Sequence, residues 1–260
     1  MNIARRALLA MPAVALPLAP GDAGAQPAYS FDVWLDRWEA ILRARVDARG
    51  RIDFAGLQAD PAPLAAVAGM LAQAGPRTTP GAFPDAASRM AFLLNAYNAL
   101  CMHGIVQRGV PNSLNAIDRF GFFGRTSFGL DGGQTTLKGL EDNVIRPLGD
   151  ERVHFALNCM VAACPRLPQQ AFRPARLEAQ LQAARVEFCD SPYHVRPQPE
   201  YGVAHLSGIF RFYTGDFVPA KAPDLISYVN RTRQVPVPAQ YRVQFLDYDW
   251  TINRQPVRGA

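Results

Sequence analysis

Lysine is nearly missing from this 260-residue chain: Lys138 and Lys221 are the only two among 27 basic residues, and the rest are arginines. The net charge is +5, yet no block of five or six basic residues occurs, so nothing points to nucleic-acid binding. The arginine excess, with 20 glycines and 22 prolines, fits a GC-rich coding sequence and a fold rich in turns. There is no repeat period, heptad or collagen-like run, which excludes solenoid and fibrous architectures. No apolar run is long enough to span a bilayer comfortably, which excludes polytopic membrane proteins. Also missing are Gly-x-Gly-x-x-Gly after a strand, a Walker loop, a Gly-x-Ser-x-Gly elbow, His-Glu-x-x-His and Cys-x-x-Cys. Cys159 and Cys164, with His154 five residues upstream, are a weak zinc pattern at best, because structural zinc ligands are usually spaced more compactly. No metal or cofactor is therefore expected.

What is present begins with an export signal. Basic residues at Arg5 and Arg6 precede the apolar stretch from Ala7 to Ala19, and Ala23-Gly24-Ala25 supplies small residues at a cleavage site. Residues 1–25 are read as a signal peptide and 26–260 as one domain, periplasmic or secreted, with no stable membrane insertion after cleavage. That compartment permits disulfides, and the four cysteines, Cys101, Cys159, Cys164 and Cys189, could pair in three ways.

Periodicity predicts a helix from Phe31 to about Val46 and a second, apolar on almost all sides, from Pro84 to about Gln107. A helix with so little polar surface belongs at the centre, so its Asn95, Asn98 and His103 need buried partners. Residues 128–136 read as a hairpin around Asp131-Gly132-Gly133, after which Thr136 caps a helix running to Arg146. Val153 to Leu157 reads as a buried strand leading into the small-residue segment 158–165. Residues 175–188 form a further helix, 193–195 and 201–205 an extended pair, and 241–246 a terminal strand. The irregular alternation predicts an α+β fold: one domain with a central apolar helix packed on a small, mostly antiparallel sheet.

The richest chemistry gathers in His103, Glu141, His154 and Cys159. A histidine can lower a thiol pKa and act as its base, while a carboxylate or amide orients the imidazole. Spacing alone leaves bland readings open for each. Cys159 could be buried or disulfide-bonded, either histidine structural, Glu141 a cap or ion-pair partner, and Asn95 and Asn98 packing groups.

These motifs resemble the DUF547 domain family. The resemblance rests on Phe92-Leu93-Leu94-Asn95-Ala96-Tyr97-Asn98-Ala99-Leu100 with His103, on Leu140-Glu141 with Val144-Ile145-Arg146, and on His154-Phe155-Ala156-Leu157-Asn158-Cys159 with Cys164-Pro165. Leu206 to Phe210, Asp216-Phe217 and Tyr248 to Asn253 also fit the pattern. The resemblance implies an exported or lipid-anchored bacterial protein in which His103, Glu141, His154 and Cys159 recur. Cys164 looks replaceable by serine in plant relatives, which leaves Cys159 as the better single nucleophile. Asp142 stands where relatives usually carry histidine, so a base at that position is not essential.

Two expectations follow. The first is a papain-like or transglutaminase-like thiol hydrolase or acyl transferase acting on a peptide or other amide bond. Cys159 would attack, His154 or His103 would carry the proton, Glu141 would orient the ring, and Asn158, Asn95 or backbone N–H groups would hold the oxyanion. The second is a non-enzymatic periplasmic binding or interaction protein for a peptide, amide or small molecule, with a structural or disulfide-bonded Cys159.

Overall fold

The computed structural model describes residues 30–256; the expected signal peptide at 1–25 lies outside them. Ser30 caps α1 (Phe31–Arg45) by accepting the Val33 N–H, and its Phe31, Trp34, Leu35, Trp38, Ile41 and Leu42 face inward. The buried Trp34 indole donates to the Val67 carbonyl. Helices α2 (Phe54–Ala59) and α3 (Ala62–Gln73) follow. A capping box between Asp85 and Ser88 starts α4 (Ala86–Gln107), which is buried around most of its girth. This central helix lies against α3 and against the chain around residues 137–145 and 174–176.

After α5 (Ala116–Gly124), strands β1 (Phe128–Leu130) and β2 (Gly133–Thr135) form the expected hairpin. Asp131 and Gly132 both take positive φ, 52° and 69°, which is the type I′ geometry that matches strand twist. Thr136 caps α6 (Leu137–Leu140) as anticipated, but the helix does not continue uniformly to Arg146. It widens into a π turn over Glu141–Ile145 and tightens into a 3-10 turn over Arg146–Leu148, ending at Gly149 with φ 79°.

The expected strand at 153–157 is a correction: residues Glu151–Phe155 form a 3-10 turn. Asp150 accepts the Arg152 N–H and grips its guanidinium, curling the chain where an apolar run by itself suggested extension. The remainder comprises α7 (Leu177–Asp190), β3 (Val195–Gln198), β4 (Val203–Leu206), α8 (Gly208–Phe212), α9 (Thr214–Phe217), α10 (Leu225–Asn230) and β5 (Arg242–Phe245). In this small sheet β4 pairs antiparallel with β3 and parallel with β5.

The fold is α+β, with two packed cores. One is built around α4 and includes residues 156–172; the other gathers Phe155, Phe188, Phe210, Phe217 and Tyr228 beside the three-stranded sheet. Tyr248 packs against both. It begins a C-terminal strap that runs along residues 160–163: Ala163 and Ala162 donate to the Asp249 and Thr251 carbonyls, and Asn253 donates back to Met160. The strap also reaches Ile52, Asn112 and Leu114, so the last residues clamp segments far apart in sequence. Among the described residues, no helix is long and apolar enough to cross a membrane.

Candidate functional site

At the seam between the cores lies a half-enclosed cavity of about 330 Å³. Its walls include Glu141 and Arg146 from the π and 3-10 turns, His154, Cys159 and Cys164, and Tyr213 and Tyr248. Phe123, Phe212 and Trp250 add an aromatic rim.

The cysteine loop is held from below by amides. Asn98 donates to the Ala156 carbonyl and accepts the Asn158 N–H, both at 3.0 Å or less. Asn158 in turn donates to the Pro165 carbonyl and accepts the Met160 N–H. Met160 takes φ 64°, a conformation costly for a residue with a side chain, and the strap bond to its carbonyl helps hold it there. The result turns Cys159 back toward Cys164, whose sulfur accepts the Cys159 backbone N–H at 3.0 Å. The Tyr248 hydroxyl stands 3.6 Å from the Cys159 sulfur and 3.5 Å from that of Cys164. Gly208 makes room for this tyrosine, since a Cβ there would come within 3.2 Å of its ring.

Burial pushes the half-buried Cys159 thiol well above its ordinary range. Burial opposes ionisation of Cys164 too, but hydrogen bonds from Cys159, from Tyr248 and from backbone N–H groups bring it below the ordinary value. These hydrogen bonds favour the thiolate of Cys164 over that of Cys159. No disulfide joins them; all four cysteines are free.

His154 is buried and lies flat against Tyr213, with ring centroids 4.0 Å apart. Its Nε2 is 2.7 Å from Asp216 Oδ2. Arg146 grips both oxygens of that carboxylate, which lowers the Asp216 pKa and keeps it an acceptor. Nε2 must then be the protonated nitrogen of the neutral ring, leaving the Nδ1 lone pair available. Burial moves the His154 pKa downward against the pull of Asp216, so the imidazole is neutral at pH 7.

Glu141 is buried, accepts a hydrogen bond from the Tyr97 hydroxyl at 3.3 Å and is also bonded by Tyr213. Burial nonetheless raises its pKa, the tyrosines only moderating the effect. π turns recur at functional sites because the wider backbone re-aims side chains, and this one delivers Glu141 inward.

Three of the six residues singled out from sequence, Cys159, His154 and Glu141, thus meet in the cavity. The other three do not. His103 is half-buried on α4 and lines no part of it. Asn95 spends both amide hydrogens on the Ala91 and Phe172 carbonyls and accepts the Phe172 N–H, so it has no donor left for an oxyanion. Asn158 shapes the cysteine loop and does not line the cavity. The orienting role given to Glu141 belongs to Asp216, for the imidazole bonds Asp216. Tyr213 falls in the 210–213 segment that sequence offers as aromatic lining, whereas Asp216 and Tyr248 were not singled out. Asp216 and Tyr248 lay in recognisable motifs, but only the fold brings them to His154 and the thiols.

The α+β fold thus gathers two thiols, a carboxylate-held imidazole and a buried carboxyl around one cleft. Residues 83–189 match the family described as "Protein of unknown function, DUF547", which supports assigning the chain to the DUF547 domain family. The match takes in Glu141, His154, Cys159 and Cys164, whereas Tyr213, Asp216 and Tyr248 lie beyond it. No curated protein and no solved structure matches the chain.

Proposed function

We propose that this is an exported thiol-dependent hydrolase or acyl transferase, periplasmic or secreted, acting on a peptide or other amide bond. The observation that carries the reading is the shared cavity: the half-buried Cys159, a His154 whose Nδ1 lone pair is left available by Asp216, and Glu141 line one wall system. The Cys159 sulfur attacks the carbonyl carbon and its proton passes to His154 Nδ1. The C–N bond then breaks, the amine leaves with that proton, and a thioester remains. Water adds to the thioester, giving its proton to Nδ1; the acid departs and the thiol is restored. A second amine or alcohol in place of water makes the reaction a transfer. Glu141, protonated more readily than a surface carboxyl, offers a hydrogen bond to the substrate.

One observation favours a second reading, a non-catalytic receptor for a small aromatic or amide ligand: the Cys159 sulfur bonds the Tyr248 phenol and not an imidazole. A panel of p-nitrophenyl esters with mass mapping separates the two. The enzyme reading expects an acyl group on Cys159, absent in Cys159→Ser and formed at least about tenfold more slowly in His154→Gln and Asp216→Asn. Saturable ester binding without acylation, or acylation indifferent to His154, would decide for the receptor.

A further inference from the structure

We infer that Cys159 and Cys164 form an oxidisable dithiol, a modification site that takes a small peroxide and closes to an intramolecular disulfide. The inference does not depend on the hydrolase reading. It rests on how the loop presents the two sulfurs. The Cys164 sulfur already accepts the backbone N–H of Cys159, and the two thiols share the Tyr248 hydroxyl. With the Cys164 sulfur 3.0 Å from the Cys159 backbone nitrogen, rotation of the Cys159 side chain is the movement that brings the two sulfurs together.

Cys164 is only 6% exposed, yet cavities reach it. Cys164 lines the 330 Å³ cavity and also a second one of about 530 Å³ on its other side, bordered by Arg166, Gln169, Gln180 and His194. A molecule the size of hydrogen peroxide can approach from either. The other two thiols are poor competitors: Cys101 and Cys189 are fully buried, and burial pushes Cys189 up to about 12.

The order of events follows from the donors around Cys164: its sulfur receives the Cys159 backbone N–H at 3.0 Å and the Tyr248 hydroxyl at 3.5 Å, both of which favour its thiolate. The Cys164 thiolate attacks the peroxide O–O bond, forming Cys164–SOH and releasing hydroxide. The Cys159 sulfur then attacks the sulfenic sulfur; the S–S bond forms, the S–O bond breaks, and the thiol proton leaves with the departing oxygen as water. Two thiols and one peroxide become one disulfide and two waters, and an external dithiol reverses the change.

The test treats the folded protein with stoichiometric hydrogen peroxide, followed by thiol counting and peptide mapping in the presence of dimedone. The expected result is loss of two of the four thiols, a mapped Cys159–Cys164 cross-link in the monomer, and recovery with dithiothreitol. Cys159→Ser should instead carry a dimedone adduct on Cys164, and Cys164→Ser should resist oxidation at least about tenfold longer. Four surviving thiols, an irreversible acid on either residue in the wild type, or only intermolecular bridges would overturn the proposal. Urea unfolding of both variants guards against a folding artefact. A bridge in a protein that never acylates sinks the hydrolase alone, while acylation without a bridge sinks the dithiol alone.

Discussion

His154 and His194 occupy similar surroundings and face opposite prospects. Both are buried, and each lies on an aromatic ring, His154 on Tyr213 and His194 on Phe188 with centroids 3.8 Å apart. His154 has Asp216 on Nε2; among the described residues, His194 has no ion-pair or hydrogen-bond partner on its ring that resists desolvation. Burial alone takes His194 down to about 3, whereas for His154 the carboxylate works against the same desolvation. His194 lines the larger cavity, but that cavity surrounds it with amides and an Arg166–Glu187 ion pair and offers its ring no acid. Cavity size is thus a poor guide to chemistry here. A partner that favours the protonated ring, not burial or aromatic stacking, is what makes an imidazole able to accept a proton.

The largest expected effect tests the partnerless ring. A histidine whose folded pKa is depressed adds stability fully present above its unfolded value of about 6.5 and lost as pH falls toward the folded value. Replacing it with an apolar residue removes that slope. His194→Leu should therefore narrow the stability lost between pH 6.5 and 3, relative to wild type, by roughly 4 kcal/mol in urea titrations. Parallel curves for the two proteins would mean that His194 is solvated and that the contrast with His154 is false.

Asp216→Asn sharpens the comparison from the other side by making His154 resemble His194. Its NMR-detected pKa should fall further, and losing the charge that Arg146 grips should cost about 1–2 kcal/mol at pH 7. An unchanged His154 titration would show that Asp216 does not govern the ring. The smallest effect concerns the carboxyl across the cavity. Because burial raises the Glu141 pKa, its contribution is fully present below the unfolded value near 4.5 and is lost as pH rises through the folded value. Glu141→Gln should match wild type at pH 4 and be the more stable of the two at pH 7. Thermal unfolding at the two pH values measures the difference, and a variant less stable at pH 7 would contradict it.

Much of the framework was legible because it is written in local periodicity. The stripe from Phe31 to Leu42, the all-round apolar α4 and the turn at Asp131-Gly132 each stabilise a backbone shape with residues a few positions apart. Cys159, His154 and Glu141 were legible for another reason: their residue types carry reactivity wherever they land. The run at 153–157 misled because apolar continuity fits a buried strand and a buried turn equally, and the Asp150–Arg152 contact settled it. Asn95 looked available for catalysis, yet its capacity is used up by Phe172, 77 residues away.

The sequence by itself therefore determined the α+β class, the central helix and the reactive residue types. Those depend on side-chain chemistry and on spacings of two to four residues. Tertiary structure alone decided which histidine received a carboxylate, which thiol received the hydrogen bonds that favour its thiolate, and which amides were left with nothing to donate. Asp216 lies 62 residues from His154, and Tyr248 lies 89 from Cys159. Hydrogen-bond geometry and desolvation act through space over a few ångströms, and only the packing of two cores under the C-terminal strap brings these groups within that range.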